Sequence, residues 1–433
     1  MLPKLPPTLS FLGSLLPVLI HPTLSHSIPA HPPSHISHNN PLCTPLSFTL
    51  TATASHLSLA SPPDPSNATA ILAMVNQSWD GTLVTNGTQR VGGTYTLRAI
   101  YCQPVPASVH PKSHKNGKEN GDVLQILLHG ATYSKTMWSG FGFGYPYDWH
   151  SFATSQGYHT LAIDRLSHGE NDPRGIDPLR DVQMGLQTEL LHELISLVKA
   201  KPNPNPNPNP NSRSKSKSTS SKNNPLKRTF NKIVLVGHSL GSYLSVSLAR
   251  SYPRDASALV LTGYSSKLNT QHVSSAPWAP APFVFPDRFP ADKYLHNLEF
   301  LTVATLEGRT KGFYDNVTDA AGKPYAYDPE LARTDYLYAD ANTLGEVVSL
   351  GDWGVGPEEF RGAVLVATGQ RDWVCCSPPE EECVKRLEET GKTFSRAKRY
   401  EFWAPEGTGH DLTLSYSAGK TLEVVHKFLE REV

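Results

Sequence analysis

The stretch NKIVLVGHSLGSYLSV, residues 231–246, constrains the fold more than any other part of this 433-residue chain. Its apolar run Ile233–Val236 fits a short strand buried on both faces. The run ends in Gly-His-Ser-Leu-Gly, and small and apolar residues follow at helical spacing. A strand that passes straight into a helix through one serine leaves little room. Side chains two positions before and after Ser239 would collide, so Gly237 and Gly241 are small for steric reasons. The five-residue pattern also arises by chance, and a serine in a tight turn needs no catalytic role. The surrounding chain has to decide between the two.

Strand and helix signals alternate through much of the sequence. VLQILLHG (123–130) and YHTLAIDRL (158–166) read as buried strands, with a helix around YDWHSFATSQG between them. Leu179, Val182, Leu186, Leu190, Leu194 and Leu197 form one stripe of a helix expected over Asp177–Ala200, with Asp177 as its cap and Pro178 at its first position. Beyond residue 251 come strands ASALVLTGYS (256–265), GAVLVATG (362–369) and RYEFWAP (399–405), with helices over 378–390 and 417–430. Repeated strand–helix units mean an α/β fold, a mostly parallel central sheet with helices on both faces. Ahead of them, segments 45–54 and 92–102 alternate apolar and polar residues as antiparallel strands do.

Two sections break the alternation. Residues 201–228, KPNPNPNPNPNSRSKSKSTSSKNNPLKR, hold nothing to bury and read as a disordered basic surface insert. Residues 266–360 are rich in aromatic side chains and proline, and read as a lid over a site or as an apolar mini-core packed on itself. The division expected is a signal peptide over 1–27, a disordered leader over 28–42, a first core part over 43–265, a lid or cap over 266–360 and a second core part over 361–433.

A serine hydroxyl attacks at neutral pH only when a base takes its proton and a carboxylate orients that base. The strand at 362–369 leads into GQRDWVCC, which puts Asp372 at its carboxyl end, and EGTGHDLTLS after 399–405 offers His410. Glu406 and Asp411 are close in sequence, but a residue beside the histidine is poorly placed to brace it, so Asp372 is the acid. The oxyanion of acyl transfer needs N–H donors. Leu240, just after the serine, is one. His129 and Gly130 mark the turn after strand 123–128, where Ala131 supplies the second, although His129 also reads as an ordinary polar loop residue.

At these residues the chain resembles the α/β-hydrolase superfamily, most closely serine hydrolases of the lipase, esterase and prolyl-aminopeptidase type. The resemblance spans about residues 90–430 without the basic insert. IVLVGHSLG matches the family's nucleophile elbow, LLHGATY its oxyanion turn, and DRLSHGEN (164–171) its Asp-x-x-Gly-x-Gly-x-Ser loop, with Ser167 in place of a glycine and Asn171 of a serine. The leader, the cysteines after the acid and the DRL sequence are similar to secreted fungal members. The resemblance implies an α/β-hydrolase fold with its lid inserted after the sixth strand. It also implies a Ser239–His410–Asp372 triad working through an acyl-enzyme, with neither metal nor organic cofactor. Beneath an aromatic lid, a small ester with an apolar acyl or alcohol group is the expected substrate.

Two other functions stay in view. The same triad cleaves amides, and an aminopeptidase needs a carboxylate for the substrate's amine, for which Glu307, Asp315 and Asp335 are candidates. A non-catalytic binding relative would normally lack a triad member, whereas all three are present here. Serine at 239 argues against the aspartate nucleophile of epoxide hydrolases and dehalogenases.

Lys plus Arg and Asp plus Glu both number 39, so no sequence-wide charge draws the chain to nucleic acid or anionic membranes. The opening MLPKLPPTLSFLGSLLPVLIHPTLSHS has the layout of a secretory signal peptide, and its apolar stretch is too short to span a bilayer. Sequons at Asn67, Asn76, Asn86 and Asn316 agree with a secreted glycoprotein. The histidines of the leader lack carboxylate or cysteine neighbours and carry no metal expectation. Of five cysteines, Cys43 is expected to pair with Cys102, and Cys383 with Cys375 or Cys376; the alternative is free buried thiols.

Overall fold

The computed structural model describes residues 42–104, 120–199, 224–294, 297–314, 322, 326–351 and 353–433. The expected signal peptide, the leader up to residue 41, Asp315, Asn316 and most of the basic insert lie outside them. Eleven strands are described: β1 (Cys43–Leu59), β2 (Thr85–Cys102), β3 (Val123–Leu128), β4 (His159–Ile163), β5 (Lys232–His238), β6 (Ala258–Thr262), β7 (Trp278–Pro280), β8 (Phe300–Val303), β9 (Asn342–Thr343), β10 (Ala363–Ala367) and β11 (Arg399–Trp403). The central sheet runs β1-β2-β4-β3-β5-β6-β10-β11. β2 pairs antiparallel with β1 and β4, and every other neighbouring pair in that sheet is parallel.

All residues of β3, β4, β6 and β10 are buried, as strands covered on both faces require. The main helices are α1 (Ala68–Asp80), α2 (Trp149–Ser155), α3 (Met184–Lys199), α4 (Leu240–Ser251), α5 (Leu306–Arg309), α6 (Pro329–Leu337), α7 (Leu344–Val348), α8 (Glu380–Lys392) and α9 (Ala418–Glu432). Alternate strand residues divide between two cores. Ile126, Leu128 and Leu235 pack with Leu190 and Leu194 of α3, Leu244 and Leu248 of α4 and Leu387 of α8. Leu127, Val234 and Val236 face the other way, to Trp149 and Ala153 of α2 and Val425 and Leu429 of α9. Each such side chain stabilises the fold by about 1.5–3 kcal/mol when fully buried. Among the described residues, no helix is long and apolar enough to cross a membrane.

The section between β6 and β10 holds a small antiparallel sheet, β7-β8-β9, and helices α5 to α7. Some of its aromatics pack on one another: Tyr294 lies between Phe289 and Phe300, and Phe285 meets Tyr336 edge-on. Ile71, Met74 and Val75 of α1 pack onto Leu298, Leu301, Leu344 and Val347 of this section. Helix α1 has readable ends, since Asn67 caps it through Ala70 N (3.0 Å) and Gly81 closes it at φ 78°.

Two sequence expectations are corrected and one open choice is decided. The helix expected from Asp177 begins at Met184. Asp177 does cap a turn, accepting from the N–H groups of Leu179 and Arg180, but tertiary bonds to β1 divert the chain. Gln183 exchanges hydrogen bonds with the Leu57 backbone, and His56 accepts from Leu186 N–H at 2.9 Å. Leu179 consequently packs with the α1 cluster instead of the core stripe. Residues 224–228, assigned to the disordered insert, are ordered. Leu226 is buried, and Arg228 bonds His159 and the Gly121 carbonyl while covering the Phe230 ring. Finally, the choice left open at Cys383 falls to Cys376; Cys43 pairs with Cys102 as expected, and Cys375 is a free, buried thiol.

Candidate active site

Ser239 joins β5 to α4 with φ 53° and ψ −115°, a backbone conformation that costs a non-glycine residue about 1–3 kcal/mol. Packing enforces it. A Cβ on Gly237 would run into the Gly241 backbone, and one on Gly241 into the carbonyls of Leu128 and His129. Ser239 N–H is tied to Thr262 O at 2.8 Å on the neighbouring strand. The serine therefore stands at the carboxyl edge of the sheet.

His410 and Asp372 meet there, from the loops after β11 and β10. Nδ1 of His410 lies 2.8 Å from Asp372 Oδ2, and both side chains are buried. Asp372 Oδ1 accepts from the N–H groups of Val374 and Cys375, each at 3.0 Å, which fixes the carboxylate. A carboxylate only accepts, so Nδ1 carries the proton and Nε2 of a neutral His410 is left basic. Burial pulls the His410 pKa down, but the charge and hydrogen bond of Asp372, with Asp411 behind, outweigh it and hold the group above 6.5. Ser239 Oγ makes no hydrogen bond among the described residues. The two loops nonetheless converge: the His238 and His410 rings are 5.0 Å apart, and a Cβ on Gly263 would sit 2.9 Å from His410 Cε1. Nucleophile–base contacts are often long until substrate tightens them.

The turn His129–Gly130–Ala131 packs on the elbow so closely that a Cβ on Gly130 would lie 3.2 Å from Ser239 Cβ. Arg165 holds this turn, donating through Nε to His129 O (3.1 Å) and through Nη2 to Gly130 O (3.2 Å). Its own N–H donates to His129 Nε2 at 3.0 Å. His129 is thus a buried acceptor; burial first, then the Arg165 charge, keep it neutral. The loop carrying Arg165 also holds the two departures from the family pattern, Ser167 and Asn171. Ser167 adopts φ 65° where a glycine would be unstrained, and its buried Oγ has no partner among the described residues. Asn171 does the tightening: Nδ2 donates to the carbonyls of Asp164 and Arg165, and Oδ1 accepts from Arg98 N–H.

Several polar residues around this site carried no legible signal. Arg165 forms a buried ion pair with Glu346 of α7, whose carboxylate also binds His168, Gln187 and Thr343 N–H. Burial would raise the Glu346 pKa, but Arg165 and His168 hold it well below the ordinary carboxylate range. The Thr343–Glu346 spacing is a capping box readable from sequence, but its link to Arg165 is not. Arg309 of α5 grips Asp335 of α6 with Nε and Nη2, both at 2.8 Å, and reaches Thr132 Oγ1. Tyr133 OH is 2.6 Å from Asp411 Oδ2, whose other oxygen lies 3.1 Å from His238 Nε2. Phe313 faces the His410 ring at 5.8 Å. Two donor clusters have metal-ligand spacing, His238–His410–Asp411 and Asp372–Cys375–His410; within them His238 is already bonded to Asp411 and His410 to Asp372, and Cys375 Sγ donates to the Gly263 carbonyl at 3.1 Å.

A family model described as the alpha/beta hydrolase family matches residues 125–422. The chain belongs to the alpha/beta hydrolase family. The fold is accordingly an α/β-hydrolase sheet with its lid inserted after β6. Among solved structures, this α/β hydrolase is similar to a thermophilic esterase from Thermogutta terrifontis, at 15% identity and a TM-score of 0.46, covering 78% of this chain and 94% of that one. Carboxylesterase CesB from Bacillus subtilis matches at 14% identity and a TM-score of 0.42, covering 84% and 99%. An epoxide hydrolase from Vigna radiata matches at 13% and 0.46, covering 78% and 95%. A search among curated proteins returns no match.

Proposed function

We propose that this α/β hydrolase is a secreted serine esterase that cleaves small esters of an apolar acyl or alcohol group. The observation that carries the reading is the buried His410–Asp372 pair, 2.8 Å apart, beside a serine held in a strained turn. In this reading His410 Nε2 takes the Ser239 proton as Oγ attacks the ester carbonyl, and Asp372 stabilises the imidazolium that forms. The N–H groups of Leu240 and Ala131 receive the oxyanion. His410 returns the proton to the leaving alcohol, and water repeats the sequence to release the acid.

Phe313 beside His410 favours an apolar substrate group. The aminopeptidase alternative loses one candidate, since both oxygens of Asp335 are taken by Arg309, and Glu307 is exposed. Secretion is supported by the signal-peptide layout, by two disulfides, and by exposed sequons at Asn67, Asn76 and Asn86. The test is fluorophosphonate labelling with mapping of the modified residue, paired with short p-nitrophenyl esters and aminoacyl amides. Label on Ser239, lost with turnover in a folded Ser239→Ala protein, supports the proposal; turnover surviving in that variant overturns it. Faster cleavage of the amides would transfer the reading to the aminopeptidase.

A further inference from the structure

We propose that Asp411 is a positioning residue for this reaction, a buried carboxylate that locks the nucleophile elbow to the oxyanion turn and adds to the negative field on His410. The proposal rests on the serine-hydrolase reading above. Asp411 is fully buried. One oxygen meets His238, the residue before the nucleophile, and the other meets Tyr133, two residues beyond the oxyanion donor Ala131. Asp411 itself follows the base. A single side chain therefore ties together the three loops whose spacing sets the reaction geometry.

The protons around it are determined by counting donors. A carboxylate cannot donate, so a neutral His238 presents Nε2–H to Asp411, and its unprotonated Nδ1 lies 3.1 Å from the Thr262 hydroxyl. That hydroxyl has a single proton, for which Gly237 O, at 2.9 Å, competes with His238 Nδ1. Burial acts against charge on both partners. It keeps His238 neutral, while the hydrogen bond from His238 and the charge of Arg309 hold Asp411 below its ordinary value and therefore ionised. A neutral amide would fill this place without the cost of a buried charge, several kcal/mol in general.

The lid enters through the same residues. Tyr133 OH is also 3.2 Å from Asp335, which is gripped by Arg309 and accepts from Tyr314 OH at 2.8 Å. Arg309 covers the Tyr133 ring at 4.4 Å. Among the described residues, the charged and titratable groups around His410 are Asp372 and Cys375 from the loop after β10, Asp411 beside it, His238 from β5 and Arg309 from α5; burial pushes the Cys375 thiol up, so it stays protonated. Arg309 opposes the imidazolium, and Asp411 offsets it.

Asp411→Asn keeps the volume and an acceptor for His238 but removes the charge. With Ser239 labelling confirmed on the same preparations, kcat for a short p-nitrophenyl ester falls about tenfold, one lost charge interaction's worth, with KM little changed. The acidic limb of kcat/KM moves to lower pH, because one of two carboxylates favouring the imidazolium has gone. Tyr133→Phe keeps the charge and cuts the tie to the oxyanion turn, so kcat falls while the limb stays. A merely structural Asp411 would lower the melting temperature of Asp411→Asn without moving kcat or the limb, and that result overturns the proposal. Should Asp411→Asn fail to fold, Tyr133→Phe decides, and wild-type kcat in that variant overturns it equally. Turnover retained by Ser239→Ala would instead remove the underlying reading, a separate outcome.

Discussion

Glu346→Gln tests whether the lid section is welded to the catalytic core. Glu346 and Arg165 are both buried, at 0% and 1% exposure, so neither charge has water to fall back on. The carboxylate takes donors from Arg165, His168 (2.9 Å), Gln187 (2.9 Å) and Thr343 N–H (3.0 Å). Glutamine preserves one acceptor but leaves the guanidinium uncompensated, which costs about 3–5 kcal/mol in general. Against a total stability of about 5–15 kcal/mol, the urea midpoint should fall by a large fraction at pH 7. Because Arg165 also holds the His129 and Gly130 carbonyls, kcat should drop with it. Glu346 is held below its ordinary value of 4.5, so its contribution is present above about that pH and is lost as pH falls toward its folded value. The gap between wild type and variant should therefore narrow in acid. A loss under about 1 kcal/mol at pH 7, far below the buried-pair range, would refute the weld, as would a gap that widens on acidification.

Three further outcomes are expected. His410 is held above 6.5, so activity should fall with decreasing pH along a limb whose midpoint exceeds 6.5; a midpoint well below that would contradict the Asp372 pairing. Its stabilising contribution runs the opposite way, complete below 6.5 and lost as pH rises through the folded value. Ser167→Gly should raise stability by about 1 kcal/mol in thermal melts, relieving a left-handed backbone and an unpartnered buried hydroxyl against the added freedom of the unfolded glycine. Replacing Cys43 and Cys102 together by serine frees a link between residues 59 apart and should cost up to about 4 kcal/mol by chemical denaturation, with little change in ester turnover.

The sequence alone determined the order of the central strands' signals, the elbow at Ser239 and the positions of Asp372 and His410. Buried strands must be continuous apolar runs, and a strand-to-helix turn at one residue needs glycines around it, so both leave local marks. The helix start at Met184 and the ordered 224–228 segment left none, because contacts with residues about 60 to 130 positions away decide them. The polar shell escaped for the same reason. Nothing beside Glu346 announces Arg165, and nothing beside Arg309 announces Asp335 or Thr132. Asp411 was set aside because a neighbour of the histidine cannot brace it along the chain. In three dimensions its carboxylate bonds His238 and Tyr133, within reach of His410 but not hydrogen-bonded to it. Local sequence carries steric and hydrophobic rules, whereas the pairing of buried charges is settled only when the folded chain excludes water and each charge must take the partner that packing brings.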